Sequence, residues 1–246
     1  MKSINDIDSM AVKLRRELGE DGMSPIDIFS IAKTQEDLTT VFYPLGENIS
    51  GMCIKGKKSN LIAINSSMSL GRQRFSMAHE FFHLRYDEEL INCVCSKNMN
   101  EGNEREKEAD KFASHFLMPA AALYACLGDC NEMTLERVVW IEQHFGLSRQ
   151  AILYRLKEEK KIDDELYKDM HQDVQKSAAR LGYDTVLYKP TSTDENMKTI
   201  GKYIRLADQL ANEEVISIGK YEELLLDAFR DDLVYGTNEE GDEIFD

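Results

Sequence analysis

No stretch of this sequence is long and apolar enough to cross a bilayer. The longest run without a charge, from Phe112 to Gly128, contains Ser114, His115 and Pro119 and is too short and too polar to span one. The first ten residues carry Asp6 and Asp8 and have no apolar segment of the kind a secretory signal needs. Basic residues are scarce: 30 Lys and Arg against 45 Asp and Glu give a formal charge of -15. That balance disfavours nonspecific binding to DNA or to anionic membranes, which both draw on positive charge. Cysteines number five, at 53, 93, 95, 126 and 130. An odd count with no visible signal reads as reduced thiols in the cytoplasm. Cys93 and Cys95 lack a second pair at zinc-finger spacing, because Cys126 and Cys130 stand four apart around Gly128-Asp129. Free thiols are therefore expected, not a structural four-cysteine zinc.

What the sequence does have is centred on Arg74 to Tyr86. His79, Glu80 and His83 form a His-Glu-x-x-His pattern inside an apolar run without Gly or Pro. On a helix, positions i and i+4 share a face, so His79 and His83 point the same way, one turn apart. Two neutral imidazoles at that spacing can hold Zn2+. Glu80, beside the first, is placed to take a proton from water at the metal, which is a metalloprotease signature. Phe75, Ala78, Phe82 and Tyr86 supply an apolar stripe that would bury the helix and stiffen both imidazoles.

A catalytic zinc takes three protein ligands and leaves a fourth position to water. Glu104 to Pro119 offers the third. Ala109, Phe112, Ala113, Phe116 and Leu117 recur at helix period, Pro119 is a stop signal, and the acidic residues sit in the first turns, where the helix dipole favours them. Glu108, Phe112 and His115 share a face, and Glu108 is the expected ligand. Glu104 stands a turn earlier and Asp110 points off that face. The alternative for all three is a solvated acidic helix start.

Asn65, then Arg72-x-Arg-Phe-Ser-x-Ala-His-Glu-x-x-His83, then Glu108-Ala-Asp-x-Phe-Ala-x-x-x-Leu-Met-Pro119, resembles the ImmA/IrrE family of zinc metallopeptidases. The resemblance runs from near Ile7 to about Ile162. It implies that His79, His83 and Glu108 are ligands and that Glu80 is the general base. It implies a protein substrate: a helix-turn-helix repressor, often of a mobile element or a stress response, cut at one or a few sites. Two departures are His115, in a slot expected to hold Ala or Glu, and Asp87 just past the motif.

The expected fold is α+β: a zincin-like core of mostly helices with a small antiparallel sheet, and a helical C-terminal appendage. Residues 1–162 would form the metallopeptidase domain, 163–189 a helical connector and 190–246 an acidic helical region. Helices are read at Ile4 to Leu18 and, capped by Ser24 with Pro25 first, at Ile26 to Ala32. Strands are read at Leu38 to Tyr43, Ile49 to Ile54 and Asn60 to Ile64. A strand edge near the zinc helix could hold an extended substrate by β-addition. Ser67 or Ser69 would cap the motif helix, and Glu88 to Asn103 reads as a loop or broken helix. Arg72 and Arg74 read as salt-bridged, or as orienting substrate or a carboxylate.

Met133 to Phe145 and Arg149 to Lys160, joined by Gly146-Leu-Ser148, have a helix-turn-helix shape. From Asn131 to Ile162 there are six basic and five acidic residues, with no basic stripe, so packed helices are favoured over a DNA-binding motif. Tyr154 and Arg155 are candidate oxyanion donors, and His115 a candidate proton donor. From Pro190 to Asp246 there are 15 acidic and 5 basic residues. Helices are read there at Met197 to Ala211 and, capped by Ser217, at Ser217 to Phe229. That tail is either a solubilising appendage or a partner-docking or autoregulatory module. Two other functions stay open for the whole chain: a zinc-bound partner-binding protein that does not cleave, and a DNA-binding regulator, which the charge disfavours.

Overall fold

The computed structural model describes residues 2–87, 92–96, 103–128, 132–192 and 196–236. The chain opens with helix α1, Ile4–Glu17, whose N-terminus is closed by a capping box between Ser3 and Asp6. Its buried face is Ile7, Ala11 and Leu14, at the spacing of one helical stripe. Arg15, fully buried, donates to the carbonyls of Asp21 (2.5 Å), Phe116 (2.7 Å) and Ser24, which ties the helix end to the core.

Helix α2, Ile28–Thr34, starts two residues later than the sequence reading, because Asp27 and not Ser24 caps it. The Ser24 hydroxyl is already committed to Asp21, while Asp27 accepts from the Phe29 amide and the Ser30 hydroxyl. Then come β1 (Leu38–Tyr43), β2 (Ile49–Lys55), β3 (Asn60–Asn65), α3 (Leu70–Tyr86), β4 (Asn92–Ser96) and α4 (Glu104–Leu117). Helices α5 (Ala120–Leu127), α6 (Leu135–Phe145), α7 (Arg149–Glu158), α8 (Asp164–Met170) and α9 (Val174–Arg180) complete the middle of the chain. A short 3-10 turn at Val186–Tyr188, β5 (Lys198–Gly201), α10 (Lys202–Asn212), α11 (Ile218–Asp227) and α12 (Asp231–Tyr235) follow. The fold is α+β, as the sequence implies.

The sheet has five strands in the order β4-β2-β3-β1-β5. It is mixed, not wholly antiparallel: β2 and β3 form an antiparallel pair, but β1 lies parallel to β3, with Leu38 opposite Asn60. Both edges differ from the sequence reading. β4 falls where a loop or broken helix was expected and pairs with β2. β5 falls where a helix was expected to start and pairs with β1. The acidic C-terminal region thus contributes an edge strand, and the Thr199 amide donates to the Ala228 carbonyl to fold α11 back onto it.

α3 lies on the sheet and α4 lies beside α3. Their seam is aromatic: Phe82 and Phe112 centroids are 5.4 Å apart, and Phe112 stacks on Phe116 at 5.4 Å. Ser69 occupies the N-cap position of α3 without a side-chain cap bond, whereas Ser148 and Ser217 cap α7 and α11 as read from the sequence.

The α6–α7 pair is built inward. Arg149, first residue of α7, is buried against Glu142, the Met170 carbonyl and the Ser177 hydroxyl. Tyr188 donates to the second oxygen of Glu142 at 2.7 Å. Arg155 is buried too, donating to Glu159 at 3.0 Å and facing Ser114. A recognition helix contacts DNA with exposed side chains near its N-terminus; here the arginines of α7 are spent on the interior. Gly146, at the turn, has φ 65° and ψ 37°. An added Cβ there would lie 2.7 Å from Arg74 Nε. Gly146→Ala is expected to lower stability by about 1–2 kcal/mol through the left-handed backbone alone. A urea midpoint equal to wild type would refute this.

Candidate metal centre

α3 buries its whole middle, from Phe75 to Leu84, between the sheet and α4, so His79, Glu80 and His83 sit below the surface. The Nε2 atoms of His79 and His83 are 3.1 Å apart. Each ring is held from behind. His79 Nδ1 meets Asp110 Oδ1 at 2.9 Å, and His83 Nδ1 meets Asp87 Oδ2 at 2.5 Å. A carboxylate behind an imidazole fixes its orientation and raises its basicity toward a metal.

The carboxylate facing both rings is that of Glu106. One oxygen is 3.3 Å from His79 Nε2 and the other 3.5 Å from His83 Nε2. Zinc bonds of about 2.0–2.2 Å at tetrahedral angles would set donors roughly 3.3–3.6 Å apart. The two carboxylate–imidazole separations match, and the 3.1 Å between the Nε2 atoms is a few tenths short of it, so these three side chains fit a common ion after a small spreading of the rings. Among the described residues, the ligand atoms of His79, His83, Glu106 and Cys95 all lie within 4.8 Å of one another.

The sequence reading of Glu108 as third ligand is not what the geometry brings together. Glu108 Oε1 accepts from the Lys2 amide at 2.6 Å and Oε2 from Arg105 at 3.0 Å. Residues two apart on a helix lie about 200° apart around its axis. Glu106 and Asp110, four apart, share the face turned to His79, while Glu108 takes the face turned toward α1. The signal that would have found Glu106 was the i, i+4 carboxylate pair itself. Asp110 and Asp87 hold the imidazoles in place. Arg105 braces Asp87 and the Tyr86 carbonyl and stacks over the Phe82 ring at 4.6 Å.

Electrostatics follow from crowding. Burial opposes a charge on His79, but hydrogen bonds to Asp110 and Glu106 prevail and push its pKa up to about 10. His83 is raised too, burial again being overcome, by Glu106 and Asp87. Glu106 is held well below the usual carboxylate range by the two imidazoles despite its own burial. The pocket is a sink for positive charge, which protons or a metal ion can fill.

Glu80 is fully buried, and neither of its oxygens reaches a hydrogen-bond partner. Burial pushes its pKa up, against the pull of His79 and His83, and the thiols of Cys95 and Cys53 are near enough to temper that rise. It presses on β2, where an added Cβ at Gly51 would fall 2.9 Å from Glu80 Oε1 and 3.1 Å from the Ala63 carbonyl oxygen. Only glycine leaves that space. Gly51 and Asp87 carry no functional reading in the sequence, and Cys95 reads there as a free thiol.

Of the secondary candidates, His115 and Arg155 are turned to other partners. His115 is buried, and its Nδ1 meets Asp8 Oδ1 at 2.7 Å, linking α4 to α1. Arg155 is occupied as described. Tyr154, half-buried on α7, feels the charges of Glu158 and Asp110. Arg74 donates to the Ile26 carbonyl at 2.6 Å and lies 3.7 Å from Asp27, which matches the salt-bridged reading. Cys130, needed for any four-cysteine zinc, lies outside the described residues.

The Asp8–His115 pair has a pH signature. Burial, reinforced by Arg155, holds His115 below its ordinary value against the pull of Asp8. Below about pH 6.5 the unfolded chain therefore takes up a proton that the native one refuses, so this histidine costs stability as pH falls. Asp8 is lowered by the His115 hydrogen bond, and its contribution is lost only at lower pH, as pH falls through its folded value. Between about pH 7 and 5, wild type should lose up to about 1.4 kcal/mol per pH unit more than His115→Gln does. Urea titrations of both proteins with parallel slopes would contradict it.

The sequence matches a family model described as the IrrE N-terminal-like domain, of peptidase M78, over residues 26–157, which is more than half of the chain. No curated protein matches. Among solved structures, a Mycobacterium tuberculosis transcriptional regulator is 14% identical with a TM-score of 0.43, over 62% of this chain and 46% of its own length. Among the described residues, no helix is long and apolar enough to cross a membrane.

Proposed function

Since the chain belongs to the IrrE N-terminal-like peptidase family, we propose that it is a zinc-dependent endopeptidase that cuts a regulatory protein, such as a helix-turn-helix repressor. The observation that carries the metal assignment is the Glu106 carboxylate facing two imidazoles, each braced from behind. His79, His83 and Glu106 would hold the ion. Bound there, zinc would supply a Lewis acid that polarises the scissile carbonyl and lowers the pKa of water.

The remaining work falls to the chain. Glu80, adjacent to His79 and outside the ligand set, accepts the proton of the attacking water at a carboxylate oxygen. It then returns that proton to the departing amine nitrogen. Its raised pKa brings it nearer the working range of a general base. Burial keeps bulk water from competing for it. Tyr154 is the remaining candidate donor to the carbonyl oxygen, because Arg155 is committed to internal partners. β4 ends the sheet, so its outer edge offers backbone groups to which an extended peptide can pair. Cleavage at one or a few sites fits a substrate that must present an extended segment to that edge.

The test is proteolysis of candidate repressors by zinc-loaded protein. One or a few cuts, abolished by a chelator and restored by zinc, are expected. A loaded chain that binds such a partner equally well with Glu80 or Gln at position 80, and never cuts it, would establish the non-cleaving alternative instead.

A further inference from the structure

Three thiols converge on the centre from the sheet side. Side chains alternate along a strand, so Cys93 and Cys95 of β4 share one face, while Val94 between them is 61% exposed. Antiparallel pairing sets Cys53 of β2 opposite Cys93, and Gly51 opposite Cys95. Cys95 is 1% exposed. Its Sγ is the fourth donor of the group whose ligand atoms lie within 4.8 Å of one another. Cys93 Sγ lies 3.5 Å from Cys95 Sγ and within 3.5 Å of Glu106.

A second observation points into the same space. Glu80 is fully buried with neither oxygen in a well-formed hydrogen bond, the Cys95 and Cys53 thiols lying beside it, and it is lodged against Gly51, the residue opposite Cys95. A buried carboxylate is costly unless something nearby compensates it. Two imidazoles, a carboxylate and a thiolate make a complete tetrahedral set for zinc. Sulfur is also the donor that distinguishes zinc from hard cations such as magnesium or calcium. Catalytic zinc centres keep one position for water; here a protein sulfur lies within 4.8 Å of each of the other three donors.

We propose that Cys95 Sγ is the fourth protein ligand of the resting centre, so that the chain holds its metal closed and gains an open position only when this sulfur withdraws. The proposal rests on the His79–His83–Glu106 assignment above and extends it. On ligation the S–H bond breaks, the proton leaves to solvent, and a sulfur–metal bond forms without change of oxidation state. Because β4 is an edge strand whose strand pairing, among the described residues, is with β2 only, the sulfur can be drawn off by displacement of a single strand pair. Latency of this kind would keep a peptidase from cutting at random.

The experiment is X-ray absorption at the zinc edge on the full chain loaded with zinc alone. Wild type is expected to show one sulfur at about 2.3 Å beside nitrogen and oxygen at about 2.0–2.2 Å. Cys95→Ser should lose the sulfur shell and keep one zinc, and Cys93→Ser should retain the shell. A wild type with one zinc and only nitrogen and oxygen neighbours overturns the Cys95 assignment and leaves the three-ligand centre standing. Loss of sulfur in Cys93→Ser, or its persistence in Cys95→Ser, also overturns it. A wild type that takes up no zinc overturns both readings together. Should Cys95→Ser not fold, the wild-type shell and its retention or loss in Cys93→Ser decide together.

Discussion

Glu106→Gln is expected to weaken zinc binding by more than roughly 100-fold, since even partners one shell outside a metal cost 10–100-fold when removed. Glu108→Gln, two residues away, should bind one zinc per chain as wild type does. The contrast is sharp because the substitutions are chemically identical. An amide at position 106 removes the negative charge that faces two imidazoles only 3.1 Å apart. An amide at position 108 keeps one acceptor oxygen and gives up the other with the charge, so either the Arg105 bond or the Lys2 amide bond is lost, which loosens the chain's start against α4. Competition with a chromogenic chelator reads the first effect, and circular dichroism confirms that both variants are folded. Loss of zinc in Glu108→Gln with retention in Glu106→Gln would return the third ligand to the residue the sequence first suggests.

That exchange shows how far the sequence can be read. His79, Glu80 and His83 are legible because i and i+4 on one helix fix their relation without any other part of the fold. The third ligand comes from a different helix, and its choice depends on how α4 is rotated against α3. Glu104, Glu106, Glu108 and Asp110 all stand near its start, and packing alone selects among them. Phe112, in the aromatic seam with Phe82, sets that rotation. Asp87 looks like a departure from the family pattern until His83 is seen to lean on it. Helix ends with a free capping side chain were readable at Ser148 and Ser217. They failed at Ser24, whose hydroxyl Asp21 had taken. Both edge strands escaped because neither carries a strand pattern of its own. β4, Asn92–Ser96, and β5, Lys198–Gly201, are short, and pairing with distant strands defines them.

Glu80→Gln is expected to lower hydrolysis by about 10²- to 10⁴-fold, the usual contribution of a positioned acid–base group, with zinc content unchanged. Glutamine keeps the shape of the side chain and so preserves the fit against Gly51. It cannot accept the proton of attacking water or hand it to the leaving amine. Zinc is retained because Glu80 is not among the clustered donors. The same variant should be as stable as wild type or more so. Its wild-type carboxylate is buried without a well-formed hydrogen bond, and a buried charge that His79 and His83 offset only in part costs folding free energy that a neutral amide avoids. Activity and stability should therefore move in opposite directions, which is the mark of a group retained for chemistry at the expense of the fold. A merely structural glutamate would move both downward. Zinc-loaded Glu80→Gln that cleaves within a few-fold of wild type removes the proton-shuttle role. Loss of zinc together with activity would instead make Glu80 part of the metal's support.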